Sequence, residues 1–225
     1  MVRSIPTVDF RLASSNEEDD KALFVKQVGD ALKDIGFFAL VNHGIPRSLI
    51  DETYRQCDAF FDLDEATKRR YLRPEIAHQR GYTAFGVEHA KDNPAPDLKE
   101  FWQAGRVHPE QGPAPSYPAN IWPTEHVQGF QPTAERLYAS MESLAERLLE
   151  ACSVYLGKGA NWLSDMAKEG NTIMRMIHYP PLGPNTPEGA VRSAAHEDIN
   201  FITLLVTATA DGLEVMDHDG TWISE

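Results

Sequence analysis

The feature that most constrains the fold is the stretch 171–206, in which two strand-like segments flank a loop rich in Pro and Gly. The second segment, 199–206, is rich in β-branched and large apolar side chains over the length of one strand. His196 and Asp198 come directly before it. Because residues two apart lie on the same face of a strand, we expect these two side chains to point together and Glu197 to point away.

A converging imidazole and carboxylate supply two of the three ligands of the 2-His-1-carboxylate site of non-haem Fe(II) oxygenases. A His-x-Asp pair alone is a weak signal, because such pairs arise by chance and as readily belong to a solvated loop. The neighbouring motifs make the signal stronger. From residue 175 onward they read Arg175-x-x-His-Tyr-Pro-Pro, His196-x-Asp198, Ile202-Thr-Leu-Leu, Gly212-Leu-Glu-Val and Asp219-Gly-Thr-Trp222.

Two further motifs lie near the N-terminus, Ile5-Pro-Thr-Val-Asp-Phe10 and Gly36-Phe-Phe-Ala-Leu-Val-Asn-His-Gly-Ile45. With all of these motifs the chain resembles the isopenicillin N synthase-like family of Fe(II)- and mostly 2-oxoglutarate-dependent oxygenases. The resemblance implies an α+β fold, with a helical N-terminal region packed on a double-stranded β-helix (jelly-roll) core. It divides the chain into an N-terminal region, 1–120, and a region with a long helix and the first part of the core, 121–225.

The function that the resemblance implies is that of a non-haem Fe(II)- and 2-oxoglutarate-dependent dioxygenase. Such an enzyme oxidises a small organic molecule with O₂, by hydroxylation, desaturation or ring closure. His196 and Asp198 would bind the metal. Tyr179 would hydrogen-bond the 2-oxoglutarate carboxylate. Arg175, on the same strand face as Tyr179, would be its charged neighbour, although a surface cation on an edge strand is an equal alternative.

Two other histidines are not expected to bind the metal. His178 lies on the strand face opposite to Tyr179. His218 lies in Asp-His-Asp-Gly, where the Asp-Gly pair is typical of a tight hairpin turn.

In one respect the chain departs from the family pattern. The family has a distal His far beyond the His-x-Asp pair and an Arg-x-Ser a little later, and only 27 residues follow Asp198 here, which is fewer than that spacing. We therefore expect the C-terminal part of the core to be missing, Fe(II) affinity to be weak and the chain alone to be inactive. The alternatives are a catalytically incompetent fragment or interaction module, and an oxidase that needs no 2-oxoglutarate, like isopenicillin N synthase.

Helical periodicity dominates the first 170 residues. One apolar face is formed by Phe24, Val28, Ala31 and Ile35, and a longer helix is predicted over 133–155. Nine of the fifteen prolines lie between residues 74 and 132, which predicts irregular loops with short strands. The large aromatic side chains there either pack these loops or lie near a substrate entrance.

Composition limits the partners. A net charge of −13 and a pI near 5.0 argue against nucleic-acid and anionic-membrane partners, which need a basic surface. Two cysteines, Cys57 and Cys152, lie on apolar helix faces and are expected to be reduced. With no apolar segment of a signal peptide at the N-terminus, this predicts a cytoplasmic enzyme with a small-molecule substrate. The sequence does not predict an oligomeric state.

Overall fold

The computed structural model describes residues 4–88, 97–107, 117–183, 186, 190–206 and 209–224. Contacts divide the chain into two compact units. Unit 1 comprises Met1–Gly44, Met141–Lys168 and Asn200–Glu225, and unit 2 comprises Ile45–Ser140 and Glu169–Ile199. Neither unit is a contiguous stretch of the sequence. The division of the chain between residues 120 and 121 stays a prediction.

The described residues form five helices, two 3₁₀ turns and seven short strands. The helices are α1 (Glu18–Asp34), α2 (Arg47–Phe61), α3 (Glu65–Arg69), α4 (Phe130–Tyr155) and α5 (Trp162–Ala167), with 3₁₀ turns at Phe10–Ser14 and Pro74–Ile76. The strands are β1 (Thr7–Asp9), β2 (Ala39–Val41), β3 (Gly81–Thr83), β4 (Glu100–Gly105), β5 (Ile173–His178), β6 (Glu214–Met216) and β7 (Trp222–Ser224). Among the described helices, none has the length and apolar character that crossing a membrane requires.

Unit 2 is organised around an antiparallel sheet in the order β3–β4–β5. All six residues of the central strand β4 are buried. Phe60 of α2 lies against this sheet and contacts the rings of Tyr82 and Trp102, with centroids 5.7 and 4.9 Å away. These three rings have no exposed surface. Tyr82, Phe101 and Trp102 of the Pro-rich stretch are therefore buried by packing, which is the simpler of the two interpretations of these aromatic residues.

The predicted division of β5 into two faces is confirmed. Met176 is buried, while Arg175 and Ile177 on the other face are exposed. Tyr179 follows the last residue of the strand and is 36% exposed. The alternation arises because one face of β5 packs on the aromatic core and the other does not.

Unit 1 contains the predicted apolar face of α1, and its four residues are buried. The helix is followed by Gly36, whose φ of +85° favours glycine. Strands β1 and β2 pair in parallel, and β6 and β7 form a hairpin. Val215 and Ile223 of this hairpin pack with Ile35 in a small apolar cluster.

The prediction of a strand over 199–206 is wrong. These residues form no ladder within the described part of the chain, and Ile199, Phe201 and Leu205 are 102%, 57% and 66% exposed. The β-branched and apolar composition of 199–206 indicates only that the segment would suit a pleated, half-buried surface. It does not supply the neighbouring strand, and no described strand pairs with 199–206.

Candidate metal and cosubstrate site

The side chains of His196 and Asp198 lie together, as the sequence predicts, although they do so on an extended segment outside any ladder. The distance from Nε2 of His196 to Oδ1 of Asp198 is 3.6 Å, and the side chains are 57% and 46% exposed. Two ligands bound at right angles about 2.1 Å from one metal ion are about 3 Å apart. A small side-chain rotation would bring the pair to that spacing.

A hydrogen bond orients the ring of His196. Its Nδ1 lies 2.8 Å from the carbonyl oxygen of Ala194. Since a carbonyl oxygen only accepts, Nδ1 must carry the proton and donate it. In the neutral imidazole the lone pair is then on Nε2, the atom that faces Asp198. This is the usual arrangement of a metal-binding histidine, so the donor set fits a divalent metal ion.

The described residues supply two such ligands and not three. No group of three or more His, Cys, Asp or Glu side chains in the described part of the chain could hold a metal ion. His218 is exposed in the turn between β6 and β7, where the Asp217 N–H donates to the Thr221 carbonyl at 2.9 Å. It lies at the hairpin tip, as predicted.

His178 is engaged in a buried network on the core side of β5. Its Nδ1 lies 2.8 Å from Oε1 of Glu100, whose other oxygen accepts from Lys68 at 2.8 Å and from the Tyr82 hydroxyl. Its ring stacks on Phe61 at 5.0 Å. Burial opposes the charge of Glu100, but hydrogen bonds from Lys68, Tyr82 and His178 outweigh it and lower the pKa of that carboxyl. The network fixes the end of β5 immediately before Tyr179.

Arg175 is exposed but not free in solvent. Its Nε donates to Oε1 of Gln103 at 2.7 Å, and its Nη1 lies 3.0 Å from Oε1 of Glu88. The guanidinium lies over the ring of Phe101, 4.8 Å from the centroid. These contacts hold Arg175 on the exposed face of the sheet. They agree equally with a role beside the cosubstrate and with a surface cation.

Asp97 and Lys99 lie in a stretch, 97–102, that resembles family residues near the substrate entrance, but the sequence did not predict that their charges are buried and paired. Their side chains are 4% and 6% exposed and pair at 2.9 Å. An Asp and a Lys two residues apart are more often found on a solvated surface, so composition alone gave no sign of their burial.

Comparison with known proteins defines the class. Residues 5–125 match the family model described as non-haem dioxygenase in morphine synthesis N-terminal. The chain is 30% identical over 224 residues to the 2-oxoglutarate-dependent dioxygenase thnC of Trichoderma harzianum, covering 98% of this chain and 70% of the relative. It is 29% identical to the 2-oxoglutarate-Fe(II) type oxidoreductase ppzD of Metarhizium rileyi, covering 96% and 64%. The chain thus spans about two thirds of the length of these relatives.

Solved structures give the same fold. A 2OG-Fe(II) oxygenase family protein from Caulobacter crescentus superposes with a TM-score of 0.83 at 35% identity, over 98% of this chain and 69% of that one. Neurospora crassa T7H in complex with alpha-KG, which is 2-oxoglutarate, superposes with a TM-score of 0.84 at 28% identity, over 98% and 69%. The fold is therefore the α+β fold with a double-stranded β-helix core that the resemblance implied.

The chain belongs to the family of Fe(II)- and 2-oxoglutarate-dependent dioxygenases. Fe(II) and 2-oxoglutarate are the cofactor and cosubstrate of this class, and its substrates are small molecules.

Proposed function

We propose that this chain carries two of the three protein ligands, His196 and Asp198, of the Fe(II) centre of a 2-oxoglutarate-dependent dioxygenase. The observation that carries the proposal is the geometry of the pair. The Nε2 and Oδ1 atoms are 3.6 Å apart, and the Nδ1 proton of His196 is held by the Ala194 carbonyl. Both features are what a divalent metal requires of adjacent ligands.

The cosubstrate would lie along the exposed face of β5. Tyr179 at the end of that strand would donate its hydroxyl to a carboxylate of 2-oxoglutarate, with Arg175 as the neighbouring cation. Two observations support this placement. Arg175 is on the exposed face of β5 and Tyr179 directly follows the strand, and the partly buried Glu100–His178 contact fixes the backbone directly before Tyr179. Family membership supports the choice of cosubstrate, because T7H is seen with alpha-KG.

Bound Fe(II) would supply the activation of O₂ for oxidation of the substrate. The imidazole of His196 and the carboxylate of Asp198 would hold the metal. The Ala194 carbonyl accepts from Nδ1, so that in the neutral ring the lone pair is on Nε2, and Tyr179 would orient the cosubstrate. The substrate would be a small organic molecule.

We further propose that the enzyme is cytoplasmic and does not bind nucleic acid. Cys57 and Cys152 are free thiols, which suits a reducing compartment. The net charge of −13 disfavours a polyanionic partner.

The test is anaerobic Fe(II) titration of the purified chain and of the variants His196→Ala and Asp198→Ala. We expect each substitution to weaken Fe(II) binding at least tenfold, because each removes one of two direct ligands. The matched control is His218→Ala, which removes an exposed histidine at the β6–β7 turn and is expected to leave the affinity unchanged. Equal affinity of the wild-type and His196→Ala chains would overturn the proposal.

Cosubstrate placement is tested separately. Tyr179→Phe removes only the hydroxyl, so it should weaken 2-oxoglutarate binding to the Fe(II)-loaded chain by about fivefold to tenfold and leave Fe(II) affinity unchanged. Unchanged 2-oxoglutarate affinity would remove Tyr179 from the site.

A further inference from the structure

The backbone just before His196 is tied to the residues just before β4. The Leu98 N–H donates to the Val191 carbonyl at 2.9 Å, and the Ala194 N–H donates to Oδ1 of Asp97 at 3.2 Å. The carbonyl of Ala194 in turn accepts from Nδ1 of His196 at 2.8 Å. A continuous chain of hydrogen bonds therefore runs from the Asp97 carboxylate to the imidazole ring.

Asp97 is itself held in place. Its side chain is 4% exposed, and its Oδ2 lies 2.9 Å from Nζ of Lys99. Lys99 is 6% exposed and also lies 3.0 Å from Oε2 of Glu88. Burial opposes the charge of Lys99, but its hydrogen bonds to Asp97 and Glu88 outweigh burial and raise the pKa of the ammonium. A charged, buried and doubly paired lysine leaves the carboxylate of Asp97 little freedom to rotate.

The ring of His196 has no comparable support from packing. The side chains of His196 and Asp198 are about half exposed, so their orientation depends on hydrogen bonds rather than on neighbouring side chains. The hydrogen bond that orients His196 is accepted by the Ala194 carbonyl, and the N–H of the same residue donates to Asp97.

We propose that Asp97 is a positioning residue for the Fe(II) site, acting through the backbone of Ala194 on the ring orientation and tautomer of His196. The inference rests on the proposed function and adds to it a residue that touches neither metal nor substrate. Lys99 fixes Asp97, Asp97 holds the Ala194 N–H, and the Ala194 carbonyl keeps the proton on Nδ1. Groups that orient metal ligands in this way typically contribute about 10-fold to 100-fold in metal affinity.

The experiment compares two double variants. Asp97→Asn/Lys99→Met removes both buried charges but keeps a side-chain oxygen that can accept from Ala194. Asp97→Ala/Lys99→Met removes the same charges and that acceptor. Neither leaves an unpaired charge from this pair, so the difference between them isolates the hydrogen bond to Ala194. Two quantities are measured, Fe(II) affinity under anaerobic conditions and amide hydrogen exchange of Ala194 without metal.

We expect the Ala-containing variant to bind Fe(II) about 10-fold to 100-fold more weakly than the Asn-containing variant. Its Ala194 amide should exchange about fivefold to tenfold faster. The control is Lys68→Met, which breaks the Lys68–Glu100 pair (2.8 Å, side chains 10% and 4% exposed) in the same unit. It should lower overall stability without selectively speeding exchange at Ala194.

Equal Fe(II) affinity and equal Ala194 exchange in the two double variants would overturn the inference. So would a loss of affinity in Lys68→Met as large as in the Ala-containing variant, because Asp97 would then act only through overall stability. Failure of the proposed function is recognised separately, as Fe(II) binding by the wild-type chain that is absent or insensitive to His196→Ala. That outcome also removes the metal-positioning role of Asp97, while Ala194 exchange, read without metal, still reports whether Asp97 holds the segment.

Discussion

The strand β4 and the segment 195–206 differ in burial, in pairing and in proposed role. All six residues of β4 are buried, and the strand pairs with neighbours on both sides. The segment 195–206 pairs with no described strand, and its residue Ile199 is fully exposed. Yet the two proposed metal ligands are on the exposed segment and not on the buried sheet.

The two regions have different roles in the proposed site. The sheet supplies rigidity, because its side chains are packed and its backbone groups are paired. The segment 195–206 supplies an accessible imidazole and carboxylate. The residues just before it are held by hydrogen bonds to Asp97 and Leu98, which directly precede β4. Binding groups on an irregular segment positioned by a rigid scaffold are a common arrangement.

The largest expected effect contrasts two phenylalanines. Phe60 is fully buried and contacts five other aromatic rings, whereas Phe201 is 57% exposed. Phe60→Ala should lower the free energy of unfolding by about 3–5 kcal/mol, because it leaves a cavity in the aromatic core. Phe201→Ala should change it by less than about 0.5 kcal/mol. Denaturant unfolding measures both, and similar losses would show that the exposed segment carries packing of its own.

A smaller effect is expected at the buried carboxylate of Glu100. Glu100→Gln weakens hydrogen bonds from Lys68, Tyr82 and His178, and should cost about 1–3 kcal/mol at pH 7. The control is Asp51→Asn, which breaks an exposed ion pair with Arg47 and should cost less than about 1 kcal/mol. Equal losses of unfolding free energy in the two variants would mean that the buried hydrogen bonds of Glu100 stabilise the fold no more than an exposed ion pair does.

The stability difference between the wild-type protein and Glu100→Gln is expected to depend on pH. The pKa of Glu100 in the folded protein lies below its ordinary value of 4.5, so its stabilising contribution is complete above that value and is lost as the pH falls through the lower folded pKa. The difference in unfolding free energy between wild type and Glu100→Gln should therefore narrow below pH 4.5. A difference that widens on acidification would reverse the sign of the argument.

The smallest expected effect concerns reactivity. Burial raises the pKa of the Cys57 thiol to about 12 from an ordinary 9.0, so at pH 8 its thiolate fraction falls by about a thousandfold. Cys57 should resist iodoacetamide in the folded protein and react in denaturant. Mass spectrometry of the alkylated peptides reads this directly, with the half-buried Cys152 as the internal comparison. Fast native labelling of Cys57 would place it outside the tight core.

Local patterns predicted much of the scaffold. The buried face of α1, the long helix α4 and the two faces of β5 all follow from side-chain periodicity, which depends only on backbone geometry. The convergence of His196 and Asp198 followed from a two-residue spacing in extended backbone, and this holds even though the segment is not a strand.

Other features depend on partners that are distant in the sequence. The strand over 199–206 was predicted from its composition, but pairing requires a neighbour that no pattern within the segment encodes. In the sequence, Asp97 and Lys99 look like surface charges, and only the folded structure shows that they are buried. The hydrogen bond from the Ala194 N–H to Asp97 joins residues far apart in the chain.

Amide hydrogen exchange with and without Fe(II) tests the central claim most directly, namely that an anchored sheet presents an exposed ligand pair to the metal. Amides of β4 should exchange slowly and equally in both conditions. Those of 195–198 should exchange fast in the metal-free chain, slow down when Fe(II) is added, and show no slowing in His196→Ala. Exchange across 195–198 that is as slow as that of β4 without metal, or that does not respond to Fe(II), would contradict the account.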